Sequence, residues 1–145
     1  LMNIYFCGSI AGGRTYLSTY TKIVNYLQSL GHVIPTVHII EPNVLDSEKQ
    51  LTAEEIYQRD VNWLSNADAV IAEISNPSLG VGYEIGFALN LGKRVLALYR
   101  QGLFVSRMIT GNRDTNLAIY EYDKQQDWQN AIDRFLSEGA LEEKR

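Results

Sequence analysis

Glu84 closes the run Pro77-Ser78-Leu79-Gly80-Val81-Gly82-Tyr83-Glu84. Ser78 is placed there as a helix cap or anion donor, and Gly80 and Gly82 leave the backbone open around it. Glu84 falls about one turn into the helix, where the helix dipole favours its ionised form. An ionised carboxylate beside an anion-binding turn suits attack on the anomeric carbon of a sugar, because the transition state there resembles an oxocarbenium ion. Taken singly, Glu84 reads better as an ordinary acid in a first helical turn, which is very common.

A second carboxylate sharpens the pattern. Asp60 follows Ile56 by four residues and precedes Trp63 and Leu64 by three and four, so it shares the apolar face of a helix. A carboxylate aimed at a core is costly unless it is hydrogen-bonded, paired or functional. The competing reading puts Asp60 at the margin of the stripe, bonded to a nearby backbone amide. Glu73 is another acid to consider, but its place in a strand leaves its direction open.

The stretch Gly8-Ser9-Ile10-Ala11-Gly12-Gly13-Arg14 ends one apolar run and precedes a helix. Its glycines allow close backbone approach, and the helix start offers free amides to a phosphate or a sugar hydroxyl. The spacing is not that of a dinucleotide fingerprint, and the same glycines also suit tight packing. His38 can reach the mouth of a site built here. Cys7 lies within an apolar run and reads as a buried thiol. No Cys/His/Asp spacing suggests a metal, so neither metal nor cofactor is expected.

These residues need a scaffold of alternating strands and helices. Apolar runs at Asn3–Cys7, Val33–Ile40, Ala69–Ile74, Arg94–Tyr99 and Asn116–Tyr120 read as five strands, the second weakened by Pro35 and set near an edge. Between them lie amphipathic segments: one from Arg14 to Gly31, one opened by the capping box Thr52-Ala53-Glu54-Glu55, and one from Leu79 to Leu91. A final helix from near Asp123 is expected to bury Trp128, Ala131, Ile132, Phe135 and Leu136. Glu41–Gln50 reads as a polar loop and Gln101–Arg113 as irregular or a short helix. The sum is an α/β fold: a doubly wound, roughly five-stranded parallel sheet in one domain over residues 2–145. In such sheets ligands bind beyond the carboxyl ends of the strands.

The formal charge of −4, without clustered Lys or Arg, argues against a nucleic-acid surface. No apolar stretch has the length of a membrane span. The lone Cys7 suits a reducing compartment, so a cytoplasmic protein is expected, with the nucleus open if the source is eukaryotic.

Three segments together resemble the 2′-deoxynucleoside 5′-phosphate N-hydrolase family: Tyr5-Phe6-Cys7-Gly8-Ser9-Ile10 with Gly12-Gly13-Arg14, Asp60-Val61-Asn62-Trp63-Leu64, and Pro77 to Glu84. The resemblance runs in order from about Ile4 to Tyr122. It implies a Rossmann-like fold shared with nucleoside 2-deoxyribosyltransferases and a homodimer whose sites borrow a residue. Glu84 would attack C1′ of the deoxyribose, Asp60 would give a proton to the departing base, and Tyr5 would orient Glu84 near C2′. The phosphate would rest on Gly8, Ile10, Gly12, Ser78 and Gly80, with Ser106 from the partner subunit. Ser9, Arg14, His38 and Met108 complete the expected substrate-binding set. The family carries an arginine where this chain has Ala11, which removes a charge-assisted phosphate contact that Arg14 or Arg107 would have to replace.

Three readings compete. A nucleoside 2-deoxyribosyltransferase would use the same glutamate without needing a 5′-phosphate. A ribonucleotide, CMP-type N-glycosidase is the second, against which Tyr5 counts because related enzymes favour phenylalanine there. A non-catalytic nucleotide sensor would need the geometry without both carboxylates.

Overall fold

The computed structural model describes residues 1–143. Four strands, β1 (Ile4–Cys7), β2 (Ala69–Glu73), β3 (Arg94–Arg100) and β4 (Leu117–Tyr122), form one parallel sheet in the order β1-β2-β3-β4. Tyr5 lies opposite Val70, Val70 opposite Val95, and Val95 opposite Leu117. The central strands are continuously apolar because both of their faces are covered.

The helices are α1 (Leu17–Ser29), α2 (Val44–Lys49), α3 (Ala53–Asn66), α4 (Leu79–Asn90), α5 (Arg107–Thr110) and α6 (Gln125–Glu143). Side chains alternate across the pleat and split the core in two. Ile4, Phe6, Ile71, Leu96 and Leu98 pack with Tyr20, Ile23, Val24 and Leu27 of α1 and with Trp128, Ile132 and Phe135 of α6. Tyr5, Cys7, Val70, Ala72, Val95 and Ala97 pack with Leu64 of α3 and with Val81, Ile85 and Ala88 of α4. Burying a side chain such as Leu64 or Ile85 stabilises the fold by roughly 1.5–3 kcal/mol. The expected buried stripe of the last helix, Trp128 through Leu136, is present in full.

The strand expected over Val33–Ile40 does not form, so the sheet has four strands rather than roughly five. Val33 makes a single parallel bridge to Asn3, and Val37–Ile40 turn into a 3-10 helix. Pro35 cannot donate to a ladder, and Thr36 takes over. Its Oγ1 accepts from the Phe6 N–H at 3.2 Å and donates to the Phe6 carbonyl at 2.6 Å. The segment read as a polar loop, Glu41–Gln50, contains α2, anchored by the buried Val44.

Two helices begin with the expected caps. Thr52 accepts from the Glu55 N–H and Ser78 accepts from the Val81 N–H. The second cap starts α4 directly after the carboxyl end of β2, which sets Glu84 above the α3/α4 face of the sheet. The first helix begins at Leu17, three residues later than Arg14.

Candidate active site

Three elements bring the expected catalytic residues together. Tyr5 rises from β1, Asp60 from α3 and Glu84 from α4, and all three line one small cavity with Gly8, Ile10, His38 and Arg59. Tyr5 Oη donates a short hydrogen bond to Glu84 Oε2. The cavity holds about 40 Å³ and is open to one side.

Burial raises the Glu84 carboxyl to about 7; the charge of Asp60 adds to this and the Tyr5 hydrogen bond opposes it. A carboxylate with that value is poised between its charged and neutral forms at physiological pH. Burial also raises Asp60, against which the Arg59 guanidinium holds it down. Tyr5 is pushed up, first by burial and then by the Glu84 charge, so it remains a phenol and a donor. Cys7 is buried and likewise pushed up by burial, which keeps its thiol neutral.

A second, larger space adjoins this cavity. A groove of about 680 Å³ is lined by Ala11, Gly12, Ser78, Gly80, Ser106 and Met108 among others. Gly80 stands where the two meet: a Cβ there would lie 3.9 Å from both Glu84 Oε1 and Ser78 Oγ. Gly12 closes against the β2–α4 turn, where a Cβ would collide with the Pro77 carbonyl oxygen and lie 2.9 Å from Ser9 Oγ. Only glycine permits that approach, and Gly13 beside it has φ of 128°, a backbone state side chains disfavour. Ser106 caps α5 and lines the groove from the same chain as Ser78.

Two expected binding residues lie elsewhere. Arg14 donates to the Ser9 carbonyl at 3.1 Å, to the Ile39 carbonyl, and to the Glu41 carbonyl at 3.2 Å. Its guanidinium therefore braces the first loop against the 3-10 segment. Ser9 Oγ is buried without a hydrogen-bond partner beside Gly12.

Glu73, whose direction the strand left open, points to the α1/α6 face and away from Glu84. It accepts from the Ser75 N–H at 2.7 Å, the Ser75 hydroxyl at 2.8 Å and the Tyr122 hydroxyl. It is a fully buried brace under the β2–α4 turn.

The sequence reading missed Arg59 and Glu48. Arg59 Nε donates to Asp60 Oδ1 at 2.9 Å, and its terminal nitrogen donates to Glu48 Oε1 at 3.0 Å. His38 Nε2 lies 3.2 Å from the same Glu48 oxygen, and the guanidinium sits 4.9 Å from the centre of the Trp63 ring. The one available signal was the adjacency of Arg59 to Asp60. Among the described residues no group of His, Cys, Asp and Glu could hold a metal.

Two carboxyls, one of them held by a phenol, thus meet beside a glycine-rich turn that starts a helix. The family model of the nucleoside 2-deoxyribosyltransferases matches residues 4–131, and the chain belongs to that family. Among its relatives is a Nematostella vectensis protein, named provisionally as a 2′-deoxynucleoside 5′-phosphate N-hydrolase. It is 43% identical over 139 residues, covering 92% of this chain and 93% of the relative. A Danio rerio protein named 5-hydroxymethyl-dUMP N-hydrolase is 39% identical over 138 residues, covering 93% and 96%. The fold is that of a Clostridium botulinum CMP N-glycosidase, with a TM-score of 0.68 at 16% identity, covering 91% of this chain and 98% of that one. Among the described residues no helix is long and apolar enough to cross a membrane.

Proposed function

We propose that this protein hydrolyses the N-glycosidic bond of 2′-deoxynucleoside 5′-monophosphates by double displacement. The observation that carries the reading is Glu84, held by Tyr5 and separated from Ser78 only by Gly80. A nucleophile and an anion seat at that spacing suit the C1′ and 5′-phosphate ends of one deoxyribose phosphate. The names of the relatives support the same substrate class.

The Glu84 carboxylate attacks C1′ as the C1′–N bond breaks, and the electron pair leaves with the base. Asp60 supplies the proton that the base takes up. Water then attacks C1′, breaks the glycosyl ester, and returns a proton to Asp60, releasing 2-deoxyribose 5-phosphate and regenerating Glu84. Tyr5 fixes the attacking oxygen and crowds the C2′ position, where a ribose hydroxyl would lie. The phosphate rests on the amides of Gly8, Ile10, Gly12 and Gly80 with the Ser78 hydroxyl. His38 and Met108 complete the substrate-binding set.

The working unit is a homodimer in which Ser106 reaches the phosphate of the partner's site. The exposed Leu79, Phe104 and Met108 around the groove suit burial by a second copy. On this reading the enzyme works in the cytoplasm, where the lone Cys7 stays reduced.

The test is base release from dGMP, dCMP and 5-hydroxymethyl-dUMP, beside deoxyguanosine and GMP, with and without a second free base. Cleavage of the deoxynucleotides alone, unaffected by added base, is expected. Turnover of the bare deoxynucleoside that accelerates with added base would make the protein a transferase, and loss of all turnover would make it a sensor.

A further inference from the structure

We infer that Arg59, shared between Asp60 and Glu48, is a positioning residue that decides whether Asp60 meets the departing base as a carboxylate or as an acid. The inference rests on the hydrolase reading and deepens it at the base side of the site.

Arg59 and Asp60 are successive residues of α3, which sets their side chains roughly 100° apart around the helix axis. The Arg59 side chain nevertheless folds back, and its Nε reaches Asp60 Oδ1 at 2.9 Å. The far end of the same guanidinium donates to Glu48 Oε1 at 3.0 Å and lies 3.4 Å from His38 Nε2. Its plane rests on Trp63, whose ring also meets that of His38 at 5.8 Å. Two carboxylates thus share one cation.

The titratable groups that face Asp60 come from several elements. Arg59 comes from α3 itself, Glu48 from α2, His38 from the 3-10 turn, Glu84 from α4, and Tyr5 and Cys7 from β1. Arg59 stabilises the charged form of Asp60, whereas burial and the Glu48 charge favour the neutral one. A guanidinium drawn toward Asp60 keeps it a carboxylate; one drawn toward Glu48 leaves it free to hold a proton.

A double displacement needs both states in each turnover. Asp60 gives its proton to the base nitrogen as the C1′–N bond breaks, and takes one from water as the glycosyl ester opens. A guanidinium shared between two acids lets that exchange occur without a full unpaired charge at either stage. An ion cluster that only tied α2 to α3 would hold the helices together but leave the acidity of Asp60 unused.

The experiment is a site-resolved carboxyl ¹³C NMR titration of Asp60 in the wild type, Arg59→Gln and Glu48→Gln, with kcat/KM for dGMP followed against pH in each. Removing the guanidinium is expected to raise the Asp60 midpoint, and removing the Glu48 charge to lower it. The Asp60-linked limb of the rate profile should follow in each case, and Arg59→Lys should restore most of the shift. Midpoints that stay still, or move in the same direction, would overturn the inference; Glu48→Gln and Arg59→Lys keep that result accessible if Arg59→Gln fails to fold. Opposite shifts in an enzyme whose wild type releases no base would uphold the shared cation and overturn the hydrolase reading instead.

Discussion

Tyr5 Oη donates to Glu84 Oε2 across the space between the first strand and the fourth helix, and this hydrogen bond is the main force keeping the buried acid from rising still higher. Tyr5→Phe removes it while keeping the ring. Glu84 should then titrate above its present value of about 7, and the acidic limb of the kcat/KM profile should move to higher pH. A fall in kcat of about 10–100-fold is expected near neutrality, since the attacking oxygen loses both charge and orientation. A profile superimposable on the wild type would show that Tyr5 does not act on Glu84.

The same burial predicts a stability cost. A carboxyl raised from 4.5 to about 7 on folding binds its proton more tightly in the native state than in the unfolded chain. Stability therefore declines as pH rises from about 4.5 through 7, and the deficit is complete above 7. Glu84→Gln removes the charge and should stabilise the protein by roughly 1–3 kcal/mol at pH 8, with little gain at pH 4.5. Thermal unfolding at the two pH values checks this, and turnover should fall by several orders of magnitude in the same variant.

The proposed role of Ser106 across a subunit boundary has a mixing test. In a heterodimer of Glu84→Gln with Ser106→Ala, a serine that reaches across leaves one site with both native residues. Activity should then reappear on subunit exchange between two impaired homodimers. If Ser106 serves its own chain, as its place in the groove beside Ser78 also permits, mixing restores nothing.

Ala11 lines the groove beside Gly12, and Arg14, a candidate to stand in for the family arginine, is occupied by three carbonyls. Ala11→Arg should therefore lower KM for the 5′-monophosphate by about tenfold, in line with one charge-assisted contact. Turnover of a deoxynucleoside lacking the phosphate should not change. An equal effect on both substrates would separate this position from phosphate binding.

Much of this was legible because hydrophobic period and capping chemistry act locally. The caps Thr52 and Ser78 start their helices where their side chains say they should, and the runs through Ile4, Val70 and Val95 become buried strands. Tyr5, Asp60 and Glu84, spread over much of the chain, meet because α3 and α4 pack on the face of the sheet to which Tyr5 points. Val33–Ile40 failed as a strand because a long-range partner, Thr36 against Phe6, competes with the ladder and no local pattern reports it. Arg59 and Glu48 escaped notice for a related reason. The six residues of the second helix lack an apolar stripe, and the ion cluster depends on that helix folding over the third.

The Val33 and Thr36 contacts have one more effect. Val33 takes the Ile4 N–H and donates to Met2, while Thr36 satisfies both polar groups of Phe6. A sheet margin that ends without a full neighbour normally offers an open template on which a foreign strand can polymerise. Here a threonine hydroxyl and a single bridge blunt that template on the very strand that carries Tyr5, so protection against aggregation and support of the phenol that holds Glu84 reside in the same four residues of backbone.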